Sequence, residues 1–505
     1  MFTHWPLLSL SIWVPLLGSV LVLMTGSDAN AQRARIIALV VSLISLGLCI
    51  PLYLGFDQHT YAMQFTEHLS WIPAYGINYN LGVDGISLPL IILANYTTLL
   101  VILASWRTIK TKVAQYLAAF LVMQGTVVGV FSAMDCILFY IFWEAMLIPM
   151  YLSIGVWGSE NRSYAAVKFF LYTFLGSSLM LVAFLYLRVQ SHSFSILDYY
   201  HLKLSLEQQK LIFLAFLLSF AVKVPMWPVH TWLPDAHTEA PAGGSVVLAA
   251  LMLKLGAYGF LRFSLPITPD ASQVFSGLMI ALSLVAIVYI GFIAIAQTDM
   301  KRLIAYSSIA HMGFVTLGAF MVYVILQRTG SVREAYLGLE GSMVQMISHA
   351  FGSGAMFLGF GMLYERMHTR SIKDFGGVAQ TMPLFAAFFM IFAMSNVGLP
   401  GTSGFVGEFM VLLSSFRASF WVTFFAATAL VIGAAYTLWM YKRVFYGAIT
   451  NPHVSELHDI DGIDRTIFIL LAAAVFFIGL YPQALLQLMH ISIGHLLQIS
   501  TQSKL

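Results

Sequence analysis

Charge is the scarcest commodity in this chain: of 505 residues only 9% are Asp, Glu, Lys or Arg, against roughly 25% in soluble domains. A soluble globule is excluded. The 25 Lys+Arg and 22 Asp+Glu leave a net charge of +3, so no basic excess points to nucleic acid. Cysteine is almost absent, and Cys49 and Cys136 make neither a CxxC nor a Cys/His metal spacing. A disulfide framework and an encoded iron–sulfur cluster are both excluded. No polar stretch is long enough to fold around a nucleotide, and no linker rich in Pro, Gly or Ser separates one. What fills the chain instead is 59% hydrophobic residues, and the expected solvent is lipid.

A spanning helix needs about 20 mainly apolar residues, and the sequence offers about 14 such stretches. They start near Trp5, Ile36, Gly85, Ala114, Cys136, Ala165, Leu211, Ala242, Ser272, Leu303, Tyr336, Pro383, Phe420 and Thr466. Ala29-Asn30-Ala31 resembles a signal-peptidase site. The absence of a basic region before Trp5 and the long apolar run to Met24 favour an uncleaved first span. With these spans, 15 of the 25 Lys and Arg fall on one face, among them Arg33, Lys110, Lys301, Arg302 and Arg370, and 8 on the other, among them Arg188, Arg262 and Lys504. The positive-inside rule then puts both termini outside the cytoplasm. The loop from Phe56 to Asp84 carries no Lys or Arg, consistent with that outer face.

Two spans carry breakers in mid-membrane: the seventh at Val224-Pro225-Met226-Trp227-Pro228 and the twelfth from Gly398 to Gly404. Proline lacks a donor and clashes with the preceding turn, so both helices should break. Pro225 and Pro400 are 175 residues apart, and Asp135 and Asp299, each just before a span, are 164 apart. This near-match predicts an all-α polytopic protein with two inverted five-helix repeats, each containing a broken helix. The expected divisions are 1–113 (helices one to three), 114–263 (first repeat), 264–446 (second repeat) and 447–505 (a loop and helix fourteen).

Six ionisable residues lie far from any expected helix end: Glu144, Lys223, Lys254, His311, His349 and Glu408. A charged side chain at a helix centre costs on the order of 2.5–3.5 kcal/mol on insertion scales, so their presence asks for a cause. Glu144 and Lys223 are expected to pair, with Lys223 at the carboxyl end of the first half of the broken seventh helix. Lys254 is too deep to snorkel, whereas Lys168 is near enough to an end to do so. His311 and His349, flanked by serines, can pass protons near neutrality; a bis-histidine haem is the competing use of this pair. Glu408, expected in or near the first turn of the half-helix after the second break, would meet the positive end of a helix dipole. Acids and bases in one membrane layer suit a proton wire. The bland alternative is a set of unrelated structural pairs.

His230, Asp235, His237 and Glu239 could ligate a metal by residue type, but their spacing fits an entrance or capping loop better. Gly352, Gly354 and Gly359 complete no dinucleotide fingerprint and read as close helix packing.

The strings Gly82-Val83-Asp84-Gly85-Ile86-Ser87, Phe142-Trp143-Glu144-Ala145-Met146-Leu147-Ile148-Pro149-Met150, Lys223-Val224-Pro225-Met226-Trp227-Pro228 with its continuation to His237, and Asp299 to Ser308 resemble the antiporter-like membrane subunits of respiratory complex I. The resemblance covers nearly the whole chain and is strongest to the branch called subunit M or chain 4. It implies fourteen spans, the inverted repeat and a proton channel. Glu144 becomes the acid paired with the pumping lysine Lys223, Lys254 the bridging lysine, and Glu408 the terminal acid. Sister subunits L and N carry lysine at the position of Glu408, and the long lateral helix of subunit L has no counterpart here. The resemblance further implies no cofactor or metal in this chain, with NADH, FMN, iron–sulfur clusters and quinone in other subunits. The implied partners are the other membrane-arm subunits, especially L and N, together with lipid and protons. A subunit of an Mrp-type cation/proton antiporter is the nearest competitor, and a non-pumping membrane scaffold is the competitor from a different class.

Overall fold

In the computed structural model, which describes residues 5–505, apolar helices account for most of the chain. Eleven are long and apolar enough to cross a membrane, and Leu7–Leu23, Pro383–Val397 and Ser403–Phe416 are shorter apolar helices. The chain divides into two units. One comprises the residues up to Lys223 with Lys254–Phe275 and Leu486–Leu505; the other comprises Val224–Leu253 and Ser276–Leu485.

The first unit corrects the all-α expectation. The lysine-free loop contains an antiparallel hairpin, Gln64–Ile72 paired with Ile77–Val83. Its β-branched and aromatic residues suit a half-covered pleat, and Gly76 takes the left-handed conformation (φ 71°) that closes the turn. The hairpin has a structural task. Helix Leu7–Leu23 starts after Pro6 without a capping side chain, and Glu67 accepts hydrogen bonds from Leu8 N (2.8 Å) and Ser9 N (3.2 Å), satisfying donors the helix leaves unpaired.

A local pattern recurs in each unit. Asp135 caps the helix from Cys136 by accepting from Ile137 N and Leu138 N, Cys136 N donates to Phe194 O (2.9 Å), and Ile196 N to Met134 O (2.9 Å). In the second unit Asp299 accepts from Arg302 N, Met300 N donates to Arg370 O (3.0 Å), and Ile372 N to Thr298 O (3.0 Å). Both bridges follow a helix that ends at a left-handed histidine, His192 (φ 59°) and His368 (φ 53°). The strings are His192-Ser193-Phe194-Ser195-Ile196 and His368-Thr369-Arg370-Ser371-Ile372, a correspondence that the aspartates and prolines alone had only hinted at.

The broken helices have different causes. The seventh stops at Lys223 and resumes as Trp232–Glu239, as its prolines require. The twelfth stops at Val397 because Gly398 turns left-handed (φ 81°), its N–H and that of Leu399 closing back onto Ser395 O and Met394 O. Pro400 only prevents continuation. A Cβ on Gly404 would stand 1.9 Å from Ser395 O, so the second half-helix, Ser403–Phe416, sits directly against the end of the first. Gly404→Ala is expected to destabilise by about 1–3 kcal/mol or more through overpacking against backbone, read as a lower thermal-inactivation midpoint of the assembled protein. The stretch expected as one final span is two helices, Gly462–Leu480 and Gln483–Ser500, because Pro482 cannot supply the N–H that would continue the first.

Candidate functional site

In the first unit the site begins with a kink. Pro149 removes the donor that would bond Ala145 O, and the span divides at Met146 into Cys136–Ala145 and Leu147–Trp157. Glu144 therefore lies in the last turn before a break that the sequence reading did not separate from the rest of the span. Lys223 ends its own helix, as expected, and is buried. The expected close ion pair is absent: among the described residues Lys223 Nζ has no hydrogen-bond partner, and neither does the buried Oε1 of Glu144. The ammonium instead stands 4.0 Å from the ring centroid of Trp143, a cation–π contact with the residue adjacent to Glu144. Glu144 remains its charged neighbour through space and also neighbours the Ser177 hydroxyl. Aromatic face and carboxylate are thus offered to one amine from consecutive residues.

Lys254 is completely buried. Its backbone lies between π turns at Leu248–Met252 and Phe260–Ser264, the kind of bulge that rotates a helix face and recurs at functional sites. The second bulge carries a residue that sequence counting had assigned to an outer loop. Arg262 is buried, not solvated, and its Nη2 lies 2.7 Å from Asp84 Oδ1. Its Nε donates to Tyr258 Oη (3.1 Å), which donates to Phe131 O (3.2 Å). Asp84 also accepts from Ile86 N, Ser87 N and the Ser87 hydroxyl. Burial would raise the Asp84 carboxyl, but the guanidinium and these donors together hold it below the usual carboxylate range.

The second unit brings His311, His349 and Glu408 together. His311 Nδ1 is 2.6 Å from Glu408 Oε1, and the His311 and His349 ring centroids are 5.8 Å apart. Glu408 lies in the second turn of Ser403–Phe416, so no acidic residue occupies the first turn and the expected dipole contact is replaced by direct hydrogen bonds. Besides His311, Oε1 accepts from Gln345 Nε2 (2.8 Å), and Oε2 faces Gly398, where a Cβ would come within 3.5 Å of it. His311 Nε2 is 3.1 Å from Asn396 Oδ1, and Asn396 Nδ2 donates to Thr437 Oγ1 (3.0 Å). Gln345, Asn396 and Thr437 escaped sequence reasoning because neutral polar side chains carry no large insertion cost. With Asn396 accepting at Nε2, one proton is left to be shared between Nδ1 and Oε1. Both His311 nitrogens are committed, so the residues do not fit a bis-histidine haem.

The stretch proposed as an entrance loop is also different. Trp232–Glu239 is a helix, with His237 and Glu239 buried and His230 buried beside it. Its carboxylates are spoken for: Asp235 pairs with Arg302 (3.0 Å) and Glu239 with Arg370 (3.3 Å), while His237 stacks on Phe357 at 4.4 Å. Arg370 also reaches Asp299 (3.4 Å). Among the described residues no group of three or more His, Cys, Asp or Glu is placed to hold a metal ion.

Comparison with known proteins follows the same lines. A family model described as NADH:quinone oxidoreductase/Mrp antiporter, TM, matches residues 133–433. Another, described as NADH-ubiquinone oxidoreductase chain 4, amino terminus, matches residues 10–131. NADH-quinone oxidoreductase subunit M of Rhodobacter capsulatus is 46% identical over 97% of this chain and 96% of its own length. A chain of respiratory complex I from Thermus thermophilus with bound NADH matches with a TM-score of 0.87 at 29% identity, covering 97% of this chain and 99% of that one. A chain of the Mrp complex from Dietzia sp. DQ12-45-1b has the same fold, with a TM-score of 0.81 at 20% identity over 96% of this chain and 52% of that one. Matched along nearly its whole length by relatives of one kind, the chain belongs to the family of NADH-quinone oxidoreductase subunit M, the chain 4 of NADH-ubiquinone oxidoreductase.

Proposed function

We propose that this chain is a proton-translocating subunit in the membrane arm of respiratory complex I, using Glu144, Lys223 and Lys254 in one unit and His311, His349 and Glu408 in the other. The observation that carries this reading is the His311–Glu408 contact at 2.6 Å, two groups sharing a proton inside an apolar protein. Lys223 supports it: an amine without hydrogen-bond partners changes its proton affinity when a nearby carboxylate moves. A scaffold could place apolar residues at these positions and avoid their cost.

Fourteen spans and two inverted five-helix repeats, over 114–263 and 264–446, are part of the same proposal. The paired aspartate caps and histidine helix ends in each unit support it. Both termini face the periplasm of a bacterial inner membrane, the neighbours are other membrane-arm subunits including L and N, and NADH, FMN, iron–sulfur clusters and quinone are held by other subunits. Acidic Glu408 favours this assignment over an Mrp-type antiporter.

The test is Lys223→Ala in membranes carrying the whole complex, with assembly checked by native gel. Proton pumping and NADH-to-quinone electron transfer should fall together by about tenfold or more. Wild-type rates for both would favour the scaffold. Intact NADH oxidation with lost sodium/proton exchange would favour the antiporter.

A further inference from the structure

The contacts on the far side of His311 from Glu408 remain without a role in the mechanism above. We propose that Asn396, steered by Thr437, is a positioning residue that sets which nitrogen of His311 carries its proton and so gates proton passage between Glu408 and the far side of the ring. The inference rests on the proton-translocation reading. Asn396 lies in the last turn of the first half of the broken helix, Pro383–Val397, and Thr437 lies on Phe420–Phe445. Both are buried.

With Asn396 Oδ1 toward Nε2 (3.1 Å) and Nδ2 donating to Thr437 (3.0 Å), Nε2 must carry hydrogen. Nδ1 then either accepts the Glu408 O–H or has already taken its proton as part of an imidazolium beside a carboxylate. For the pair to lose a proton, the Glu408 O–H bond breaks as Nδ1–H forms, and Nε2–H breaks, delivering its proton to a water molecule. Nε2 is then a lone pair facing a carbonyl oxygen, which is repulsive. A half-turn of the amide resolves this by presenting Nδ2 to Nε2 and Oδ1 to Thr437. Threonine is the residue type that permits both orientations, because its hydroxyl accepts from Nδ2 in one and donates to Oδ1 in the other. An apolar residue at 437 would satisfy neither.

Groups around His311 constrain the same exchange. Gln345 Nε2 donates to the oxygen that His311 contacts, and the His349 ring is 5.8 Å away. Gln345 can stabilise the carboxylate in either amide orientation. It does not select the tautomer, because its hydrogen bond goes to the carboxylate and not to the imidazole. That selection falls to Asn396.

The experiment compares Thr437→Val, Thr437→Ser, Asn396→Leu and Glu408→Gln in membranes carrying the whole complex, each checked for assembly by native gel. Valine keeps the shape of threonine and serine keeps its hydroxyl, so packing and hydrogen bonding make opposite forecasts. Thr437→Val is expected to slow proton pumping and coupled electron transfer by about tenfold, since a histidine held in the wrong tautomer is a poor relay. Thr437→Ser should stay within about twofold of wild type, and Asn396→Leu should resemble Thr437→Val. If Asn396→Leu fails to assemble, the valine–serine pair decides. Wild-type rates in Thr437→Val, or equal loss in valine and serine variants, overturn the proposal. If Glu408→Gln is inactive in that case, only the amide gate falls; if Glu408→Gln is also at wild-type rate, the proton-path reading falls with it.

Discussion

Replacing Glu408 with glutamine should cut proton pumping and coupled NADH-to-quinone turnover by roughly a hundredfold, the lower range for loss of a positioned acid–base group, while the complex still assembles. Glutamine keeps the length of the side chain, and its amide can face His311 Nδ1 through its NH2 while its oxygen accepts from Gln345 Nε2, the two groups that the carboxylate meets in the structure. What it cannot do is give up or take a proton. The substitution therefore separates packing from proton exchange more cleanly than alanine, which would leave a cavity against Gly398 and Gln345. Glu408→Asp should retain part of the activity, because the carboxylate survives but is drawn back from the imidazole. Pumping measured by a pH-sensitive dye in sealed membranes, alongside NADH oxidation, reads both. Unimpaired pumping in an assembled Glu408→Gln complex would remove Glu408 from the proton path.

The second large effect concerns stability. Arg262→Met should destabilise the protein by about 3–5 kcal/mol, because it leaves Asp84 buried without its counter-charge. The pair joins the end of the hairpin region to the π turn Phe260–Ser264, and Tyr258 extends it to Phe131 O. The double substitution Arg262→Met with Asp84→Leu removes both charges together, and it is expected to recover much of the loss. Thermal inactivation of the purified complex, compared across the two single and one double variant, measures the coupling directly. Additive losses would show that the charges do not interact. The pH dependence has a definite sign. The Asp84 carboxyl is held below its ordinary value, so its contribution is present above the unfolded carboxylate pKa and is lost only as pH falls through the lowered folded one. Mild acid should leave this tie intact, and stronger acid should release it.

Legibility differed with the kind of information involved. Lipid as solvent and the approximate spans follow from composition, the two interruptions from the proline- and glycine-bearing strings at 224–228 and 398–404, and Lys223 does end its half-helix. Errors fell where one residue was made to carry a three-dimensional conclusion. Arg262 was counted with the loops because a charge near a span end is usually solvated, yet Asp84 pulls it inward. The hairpin was hidden in a loop whose strands, Gln64–Ile72 and Ile77–Val83, mix polar with apolar residues without a clean alternation. Glu408 was expected to meet a helix dipole, but the left-handed turn at Gly398 and the start at Ser403 set it one turn deeper. Pro149 was in plain view, and its i−4 carbonyl at Ala145 would have located the kink beside Glu144. The recurring His-x-x-Ser-Ile strings were equally visible.

By itself the sequence determined which groups would be forced into an apolar medium, because insertion cost depends on residue type and on depth along a hydrophobic run. Only the tertiary structure decided what each of those groups meets. Trp143 rather than a bonded carboxylate faces Lys223, and Glu408 is joined to His311 and Gln345 while Asn396 and Thr437 hold the other side of the ring. The physical reason is that hydropathy is local whereas these contacts are not. They connect helices far apart in the chain, and their distances are fixed by how glycine-thin helix faces pack and where each half-helix starts.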